Sequence, residues 1–308
     1  MTHLATVFAT AAALFAAGAT PAPAASAPPP PSPARPCTID VDTAGARGND
    51  TAHTITVGSP PTMTTDPTTF LDDVLMADTV AVGPLTGYDS GGMTITDTRH
   101  VATATRSGRI YRHQRQYSYG IGAPTGEDSG WSSWVAVRGL PPVRALAESS
   151  STLYTLDGGT LRRFVYVGNS NRMSSGGTAT GYSTYRGLTV ARIEKDRDIL
   201  LATTTRGALM RIEVPKTRAF TPRVHALRTT TWQVYDRLVA RRCGAATTLV
   251  GLNSRTGQGH VYTLGAARTP STSTPIRHWG ALPQPIRGPF TLRSTFTRQN
   301  APDPDDEW

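Results

Sequence analysis

The chain has 308 residues, of which 38% are hydrophobic, and its formal net charge is +9 at pH 7. This length allows two ordinary domains or one large all-β domain. The positive charge suggests a polyanionic partner, yet only Lys195 and Lys216 are lysines among 31 basic residues, and the arginines are scattered along the chain. This pattern argues against a nucleic-acid partner and favours a glycan or an acidic cell-surface polymer.

The amino-terminal residues have the pattern of an export signal. An apolar segment at residues 4–19 is followed by small residues that suit a signal-peptidase cut, although His3 is the only basic residue before it. The segment is shorter than the ~20 residues that a bilayer-spanning helix needs. The sequence therefore predicts a signal peptide at residues 1–24, a secreted protein and no membrane span.

A spacer, a folded region and a tail are predicted after the signal. Residues 25–36 consist mainly of Pro and Ala, which indicates an extended, disordered spacer. Cys37 and Cys243 form an even pair in an exported chain, which predicts a disulfide bridge, with two free thiols as the alternative. The folded region is expected at residues 37–302, before a solvated acidic tail at residues 303–308.

Similar segments recur about every fifty residues along the chain. Each has a β-rich run, a short polar turn with glycine and a second alternating run, which is typical of a β-hairpin. The turn glycines are Gly108, Gly159, Gly207 and Gly259. A further strand is predicted ten residues before three of the hairpins, at Val143, Val190 and Val239.

Aromatic residues three positions apart precede these strands at a regular interval. The pairs are Trp131 with Trp134, Tyr182 with Tyr185, and Trp232 with Tyr235. Because the pairs recur in step with the hairpins, they are predicted to lie on the fourth strand of each unit.

Four antiparallel strands in every fifty residues, without a helical pattern, are typical of a β-propeller blade. The units are expected near residues 86–130, 131–180, 181–230 and 231–278, with a fifth beginning at His278. The sequence thus predicts an all-β propeller of about five four-stranded blades, six being possible, and a β-sandwich is the alternative. Strands from both termini are predicted to close the ring, the amino-terminal ones including residues 53–57, 74–77 and 79–82.

The motif Gly130–Trp134 and the segment Leu153–Leu161 resemble the blades of tachylectin-type β-propeller lectins. The resemblance covers residues 86–298. It is weaker at the turn, because the other units have different residues in place of Asp157 and Gly158. It implies a secreted five-bladed protein that binds N-acetylated sugars between its blades.

Two kinds of residue are candidates for ligand binding. Aromatic rings can stack on the apolar faces of sugars, so the six repeated aromatic residues are candidates, together with Asp157 of the lectin-like turn. Residues that recur at one place in every blade also pack between sheets, and for the aromatic pairs this packing is the favoured interpretation.

Enzyme signatures are sparse. Glu148 and Glu194 follow the first strands of neighbouring units, where they could act as an acid and a nucleophile on a glycoside, although ordinary loop glutamates are the favoured interpretation. The segment Tyr88–Gly92 is similar to the nucleophile segment of trypsin-like proteases, with His53 upstream. Since it precedes all the repeats, it is interpreted as a turn between blades.

The seven histidines are scattered without a zinc-like spacing, so no metal and no cofactor are predicted. The sequence predicts a secreted, monomeric, carbohydrate-binding propeller without catalytic activity. A propeller glycoside hydrolase and an extracellular scaffold for protein partners are the alternatives.

Overall fold

The chain folds into β-strands, and none of the residues that the structure describes is helical. The structure, a computed structural model, describes residues 36–44, 50–68, 79–89, 94–104, 110–120, 127–131, 135–136, 143–149, 152–166, 173–266, 270–287 and 291–292. These residues form five sheets, named sheets I to V in chain order.

The two amino-terminal sheets differ in size. Sheet I has three antiparallel strands, β1 (Thr38–Ala44), β2 (Asp50–Thr56) and β3 (Thr62–Thr68). Sheet II contains β4 (Thr79–Asp89), β5 (Thr94–Ala104), β6 (Ile110–Gly120), β7 (Glu127–Trp131) and β8 (Val135–Ala136). Within sheet II, both β7 and β8 pair with β6.

Three sheets repeat one arrangement of four sequential antiparallel strands. Sheet III contains β9 (Ala145–Glu148), β10 (Thr152–Asp157), β11 (Thr160–Tyr166) and β12 (Met173–Thr180). Sheet IV contains β13 (Tyr185–Ile193), β14 (Arg197–Thr204), β15 (Leu209–Pro215) and β16 (Arg223–Arg228). Sheet V contains β17 (Arg237–Cys243), β18 (Ala246–Leu252), β19 (Gly259–Leu264) and β20 (Ile276–Ala281).

The first strands of the sheets lie side by side in a ring. Contacts run from β4 to β9, β13, β17 and then β1. The last described strand, β21 (Thr291–Leu292), pairs in parallel with β4 and also contacts β1. Strands from both ends of the folded region therefore close the ring, and the predicted all-β propeller is confirmed. Sheets III to V have the predicted four strands, whereas sheet I has three and sheet II, with β21, has six.

Apolar side chains fill the interfaces between neighbouring sheets. Leu200 of β14 packs against sheet III, whereas the next residue, Leu201, packs against sheet V. The second face of sheet V packs against Ile39, Val41 and Ile55 of sheet I. Because both faces are covered, the strands read as continuous apolar runs. Full burial of each such leucine stabilises the fold by about 1.5–3 kcal/mol.

The central hairpin of each of sheets III to V is bonded, at or just after its turn, to the segment that follows the fourth strand. The carbonyl oxygens of Gly159 and Gly207 accept the backbone N–H groups of Tyr182 (2.8 Å) and Trp232 (2.9 Å). The carbonyl oxygen of Gly259 accepts the N–H of Leu282 in the same way, at 2.9 Å. The three matched bonds show that the hairpins and the connections recur as one unit.

The prediction that the aromatic pairs lie on the fourth strand of each unit is wrong for Tyr182 with Tyr185 and for Trp232 with Tyr235. Tyr182 and Trp232 lie in the turns between the fourth strand of one sheet and the first strand of the next. The N–H of Tyr185 donates to the carbonyl oxygen of Tyr182 at 3.0 Å, so the spacing of three residues is that of a tight turn. The fourth strands are the more polar segments just before these turns.

The predicted unit boundaries are also wrong in two places. His278 does not begin a fifth unit, because it lies on β20, the last strand of sheet V. Residues 79–82 belong to sheet II, whereas residues 53–57 include the end of β2 in sheet I. Residues 74–77 lie outside the described residues. Propeller blades can be shared between the termini in several ways, and sequence spacing alone does not distinguish them.

The predicted disulfide is confirmed. Cys37 and Cys243 are bonded across 206 residues, with their Cα atoms 5.9 Å apart. The bridge joins the start of sheet I to the end of β17, beside the hydrogen bond from Arg241 Nη1 to the carbonyl oxygen of Thr38 (3.1 Å). A cross-link over so long a loop is expected to stabilise the fold by about 4–5 kcal/mol in the loop-entropy account.

The predicted signal peptide, nearly all of the spacer and the acidic tail lie outside the described residues. Among those that are described, no helix has the length and apolar character needed to cross a membrane. The segment Tyr88–Gly92 is described only at Tyr88 and Asp89, which end β4.

Candidate functional site

The repeated aromatic pairs of sheets III to V are buried between the sheets. The ring centroids of Tyr182 and Tyr185 are 4.9 Å apart, and those of Trp232 and Tyr235 are 5.4 Å apart. All four side chains belong to the apolar clusters between the sheets. Burial, followed by the neighbouring Tyr185, raises the pKa of Tyr182 to about 12. These rings pack the interfaces.

The other predicted ligand residues are placed as follows. Trp131 ends β7, and Trp134 lies outside the described residues. Asp157 is buried at the end of β10 and forms an ion pair with Nε of Arg162, across the turn of the hairpin. The Asp157 carboxylate thus stabilises the turn. A ligand-binding role for these residues stays a prediction.

The two candidate catalytic glutamates have different surroundings. Glu148 is fully buried at the end of β9. Glu194 follows β13 and is partly exposed. Its Oε2 forms an ion pair with Nε of Arg197 at 3.0 Å. Glu194 lines a cleft between sheets IV and V that Glu148 does not line. Their pairing as an acid and a nucleophile stays a prediction.

A large cleft opens between sheets III and IV. This cleft, named cleft A, has a volume of about 600 Å³ and is lined by Tyr154, Arg163, Ser175, Lys216 and Arg218 among others. Its walls are strands β10, β11 and β12 of sheet III and the β15–β16 connection of sheet IV. Cleft A is therefore polar and rich in positive charge.

Arg163 joins the two walls of cleft A. Its Nε and Nη2 donate to the carbonyl oxygen of Gly176 at 2.9 and 2.7 Å. Its Nη1 donates to the carbonyl oxygen of Pro215 (2.7 Å), and Nη2 also donates to that of Thr217 (2.9 Å). The guanidinium is buried, and its donors are used by backbone carbonyls. Arg163 is thus committed to holding sheets III and IV together.

A buried carboxylate also links the two sheets beside cleft A. Asp198 of β14 is 1% exposed, and its Oδ2 accepts hydrogen bonds from Tyr154 (2.7 Å) and Ser149 (2.8 Å) of sheet III. The Lys216 ammonium lies 3.6 Å from Oδ1 of the same carboxylate. Burial and the Asp198 carboxylate raise the pKa of Tyr154 well above its ordinary value. Tyr154 therefore stays protonated and donates to Asp198.

A smaller cleft lies between sheets IV and V at the same end of the sheets. This cleft, named cleft B, has a volume of about 220 Å³. Leu201, Leu227 and Leu264 contribute its apolar lining, and Arg211 and Thr247 contribute polar groups. The clefts thus differ in character although they occupy equivalent interfaces.

The strand register shows that Arg211 of cleft B is the counterpart of Arg163 in cleft A. Leu153 pairs with Phe164 in sheet III, and its counterpart Leu200 pairs with Ile212 in sheet IV. The arginine precedes the paired residue in both sheets. By the same register, Leu201 of cleft B takes the place of Tyr154.

Arg211 is much less engaged than Arg163. Its Nη2 forms an ion pair with Oε1 of Glu213 at 2.9 Å. Its Nε is buried and has no hydrogen-bond partner within the described ranges. A buried donor without a partner is costly, which makes this N–H available to an acceptor that enters cleft B.

Sequence reasoning missed Arg163, Asp198 and Arg211. A signal existed for the two arginines, because each lies two residues after the leucine that follows its hairpin turn, Leu161 or Leu209. The different roles of the two arginines carry no sequence signal, because the acceptors of Arg163 are backbone carbonyls.

The described residues contain no cluster of three or more His, Cys, Asp or Glu side chains that could hold a metal ion.

No protein-family model and no curated protein matches the chain. Solved structures of a fungal lectin from Aleuria aurantia are similar at low identity. The lectin with a six-bladed β-propeller fold and a fucose recognition mode is 9% identical, with a TM-score of 0.41, over 82% of this chain and 81% of that chain. A mutant of that lectin in complex with alpha-methyl-L-fucoside is 11% identical, with a TM-score of 0.41, over 82% and 80%.

Proposed function

We propose that this protein is a secreted, non-catalytic, carbohydrate-binding β-propeller and that a sugar ring enters cleft B. The observation that carries the proposal is the buried Nε of Arg211, which has no partner among the described residues and lies beside an apolar lining. A sugar ring has an apolar C–H face and an edge of hydroxyl acceptors, so it matches both features. The fucose of the similar lectin is not carried over to this chain.

Secretion is the expected context of this activity. The Cys37–Cys243 disulfide persists in oxidising compartments, and the apolar residues 4–19 have the pattern of a signal peptide. The tachylectin-type resemblance, the preference for N-acetylated or acidic glycans and the monomeric state belong to the same proposal.

The alternatives make different demands. A glycoside hydrolase that uses Glu148 and Glu194 would need both carboxylates at the substrate. Of these two residues, Glu194 lines cleft B and Glu148 does not. A protein scaffold would need an exposed apolar patch. In the described residues, the exposed large hydrophobic side chains are Val224 and Val234. Carbohydrate binding, in contrast, needs only an apolar surface and a hydrogen-bond donor, and cleft B has both.

A glycan array at low and moderate salt tests the proposal with a pair of blocking variants. Ala266→Trp places a large side chain at cleft B, and Thr217→Trp does the same at cleft A. We expect the wild type and Thr217→Trp to bind the same few glycans in moderate salt, and Ala266→Trp to lose them by tenfold or more.

Three outcomes would contradict the proposal. Binding that every acidic glycan shares and that moderate salt abolishes would indicate nonspecific attraction to the net charge of +9. Equal binding by Ala266→Trp and the wild type would exclude cleft B as the site. Release of sugar from any bound glycan would favour the hydrolase.

A further inference from the structure

Two histidines meet at the outer edge of sheet V, away from both clefts. His260 lies on β19 and His278 on the antiparallel strand β20. A register shift between Val261 and Tyr262 pairs Tyr262 with His278. Because alternate residues of a strand face the same side, this shift places His260 and His278 on one face of the sheet.

The two imidazole rings are close enough to share a proton or an ion. Nδ1 of His260 lies 3.0 Å from Nε2 of His278, and the ring centroids are 5.1 Å apart. Two neutral rings can form one N–H···N hydrogen bond at this distance. The nitrogen–nitrogen distance is also that of two imidazoles bound side by side to one metal ion, with bonds of about 2.0 Å that meet at about a right angle.

Aromatic neighbours limit the movement of this pair. Tyr262 stacks on His278 at a centroid distance of 4.9 Å, and Tyr235 lies 6.0 Å from His260. The hydroxyls of Tyr235 and Tyr262 are hydrogen-bonded at 2.7 Å, which fixes the two supporting rings. The pair is thus built on strands and held by packed side chains, which favours a defined geometry.

We propose that His260 and His278 form a two-histidine site for Cu(II), with solvent water completing the coordination. Imidazole nitrogen suits copper, nickel and zinc, and Cu(II) binds most tightly in the general order of divalent ions. The near-right angle fits the tetragonal preference of Cu(II) better than the tetrahedral preference of zinc. The site does not depend on the proposed sugar binding.

The surroundings leave the pair accessible to an ion from solvent. The guanidinium of Arg277 lies over the ring of Trp279, 3.7 Å from its centroid. His278 is exposed, so an ion and its water ligands have access.

A Cu(II) titration of the tag-free full chain tests the proposal, monitored by calorimetry and by electron paramagnetic resonance. His260→Gln and His278→Gln each remove one ligand, and His225→Gln on β16 is the matched control, because it removes a histidine from the fourth strand of a neighbouring sheet. We expect the wild type and the control to bind one more equivalent of Cu(II) than either test variant, with a spectrum that shows two coordinated nitrogens. Affinity at this site should fall at least tenfold in each test variant.

Equal Cu(II) stoichiometry and affinity in the wild type and in both test variants would overturn the proposal. Loss in only one variant would also overturn it, because the site needs both rings. Since His278 is exposed, His278→Gln should keep the wild-type melting temperature, so its titration is decisive even if His260→Gln is less stable.

Discussion

Clefts A and B occupy equivalent interfaces, yet one arginine position serves the fold in cleft A and is available to a ligand in cleft B. Arg163 donates to the carbonyl oxygens of Gly176, Pro215 and Thr217. Arg211 pairs only with Glu213 in the part of the chain that is described, and its Nε is buried without a partner. The comparison teaches that repetition preserves the place of a side chain, whereas its task depends on the neighbouring backbone.

Replacing each of the two arginines should give the largest difference in the free energy of unfolding. We expect Arg163→Met to lower the free energy of unfolding by about 3 kcal/mol or more, because several buried carbonyls lose a charged donor. Arg211→Met should cost about 1 kcal/mol or less, because Glu213 keeps its ion pair with Arg197 (3.2 Å) and the Nε that is lost has no partner among the described residues. Urea unfolding of both variants gives the two values, and equal losses would abolish the distinction between the clefts.

Tyr154, which lines cleft A, should give the next largest effect on the free energy of unfolding. Tyr154→Phe removes the 2.7 Å hydrogen bond to the buried Asp198 and leaves the packing intact. We expect a loss of about 1–3 kcal/mol in the same unfolding measurement. Leu201→Met at the equivalent position of cleft B is the control and should cost less than about 1.5 kcal/mol. A neutral Tyr154→Phe would show that Ser149 and Lys216 suffice for Asp198.

Alkaline pH should give the most gradual effect, and the smallest one when it is counted for a single tyrosine. Burial raises the pKa of Tyr154, Tyr182 and Tyr235 in the folded protein, so above pH 10 these groups ionise first in the unfolded chain. The folded state then binds more protons, and its stability falls as the pH rises, by at most about 1.4 kcal/mol per pH unit for each tyrosine.

Melting temperatures between pH 8 and pH 11 measure this alkaline effect. The decline should be shallower in Tyr154→Phe than in the wild type, since one raised group is gone. In contrast, Leu201→Met should decline as the wild type does, because cleft B has no tyrosine at that position. Identical slopes in all three proteins would show that Tyr154 does not contribute.

Much of the fold could be predicted from particular residues. The glycines at 159, 207 and 259 located three hairpins, because a tight turn between alternating runs is a local signal. The pairing of Cys37 with Cys243 could be predicted because they are the two cysteines of a chain whose first residues have the pattern of an export signal. The place of Tyr182 and Trp232 was predicted wrongly, since a spacing of three residues suits a turn as well as a strand with one irregularity.

Local spacing by itself determined the repeat, the four-strand unit and the all-β class, because strands and turns depend on residues that are neighbours in the chain. Only the tertiary structure decided which carbonyls surround Arg163, that Nε of Arg211 has no partner among the described residues, and that His260 meets His278 across a register shift. These contacts join residues of different strands or sheets. Their physical basis is the packing of one strand or sheet against another, which leaves no periodic mark in the sequence.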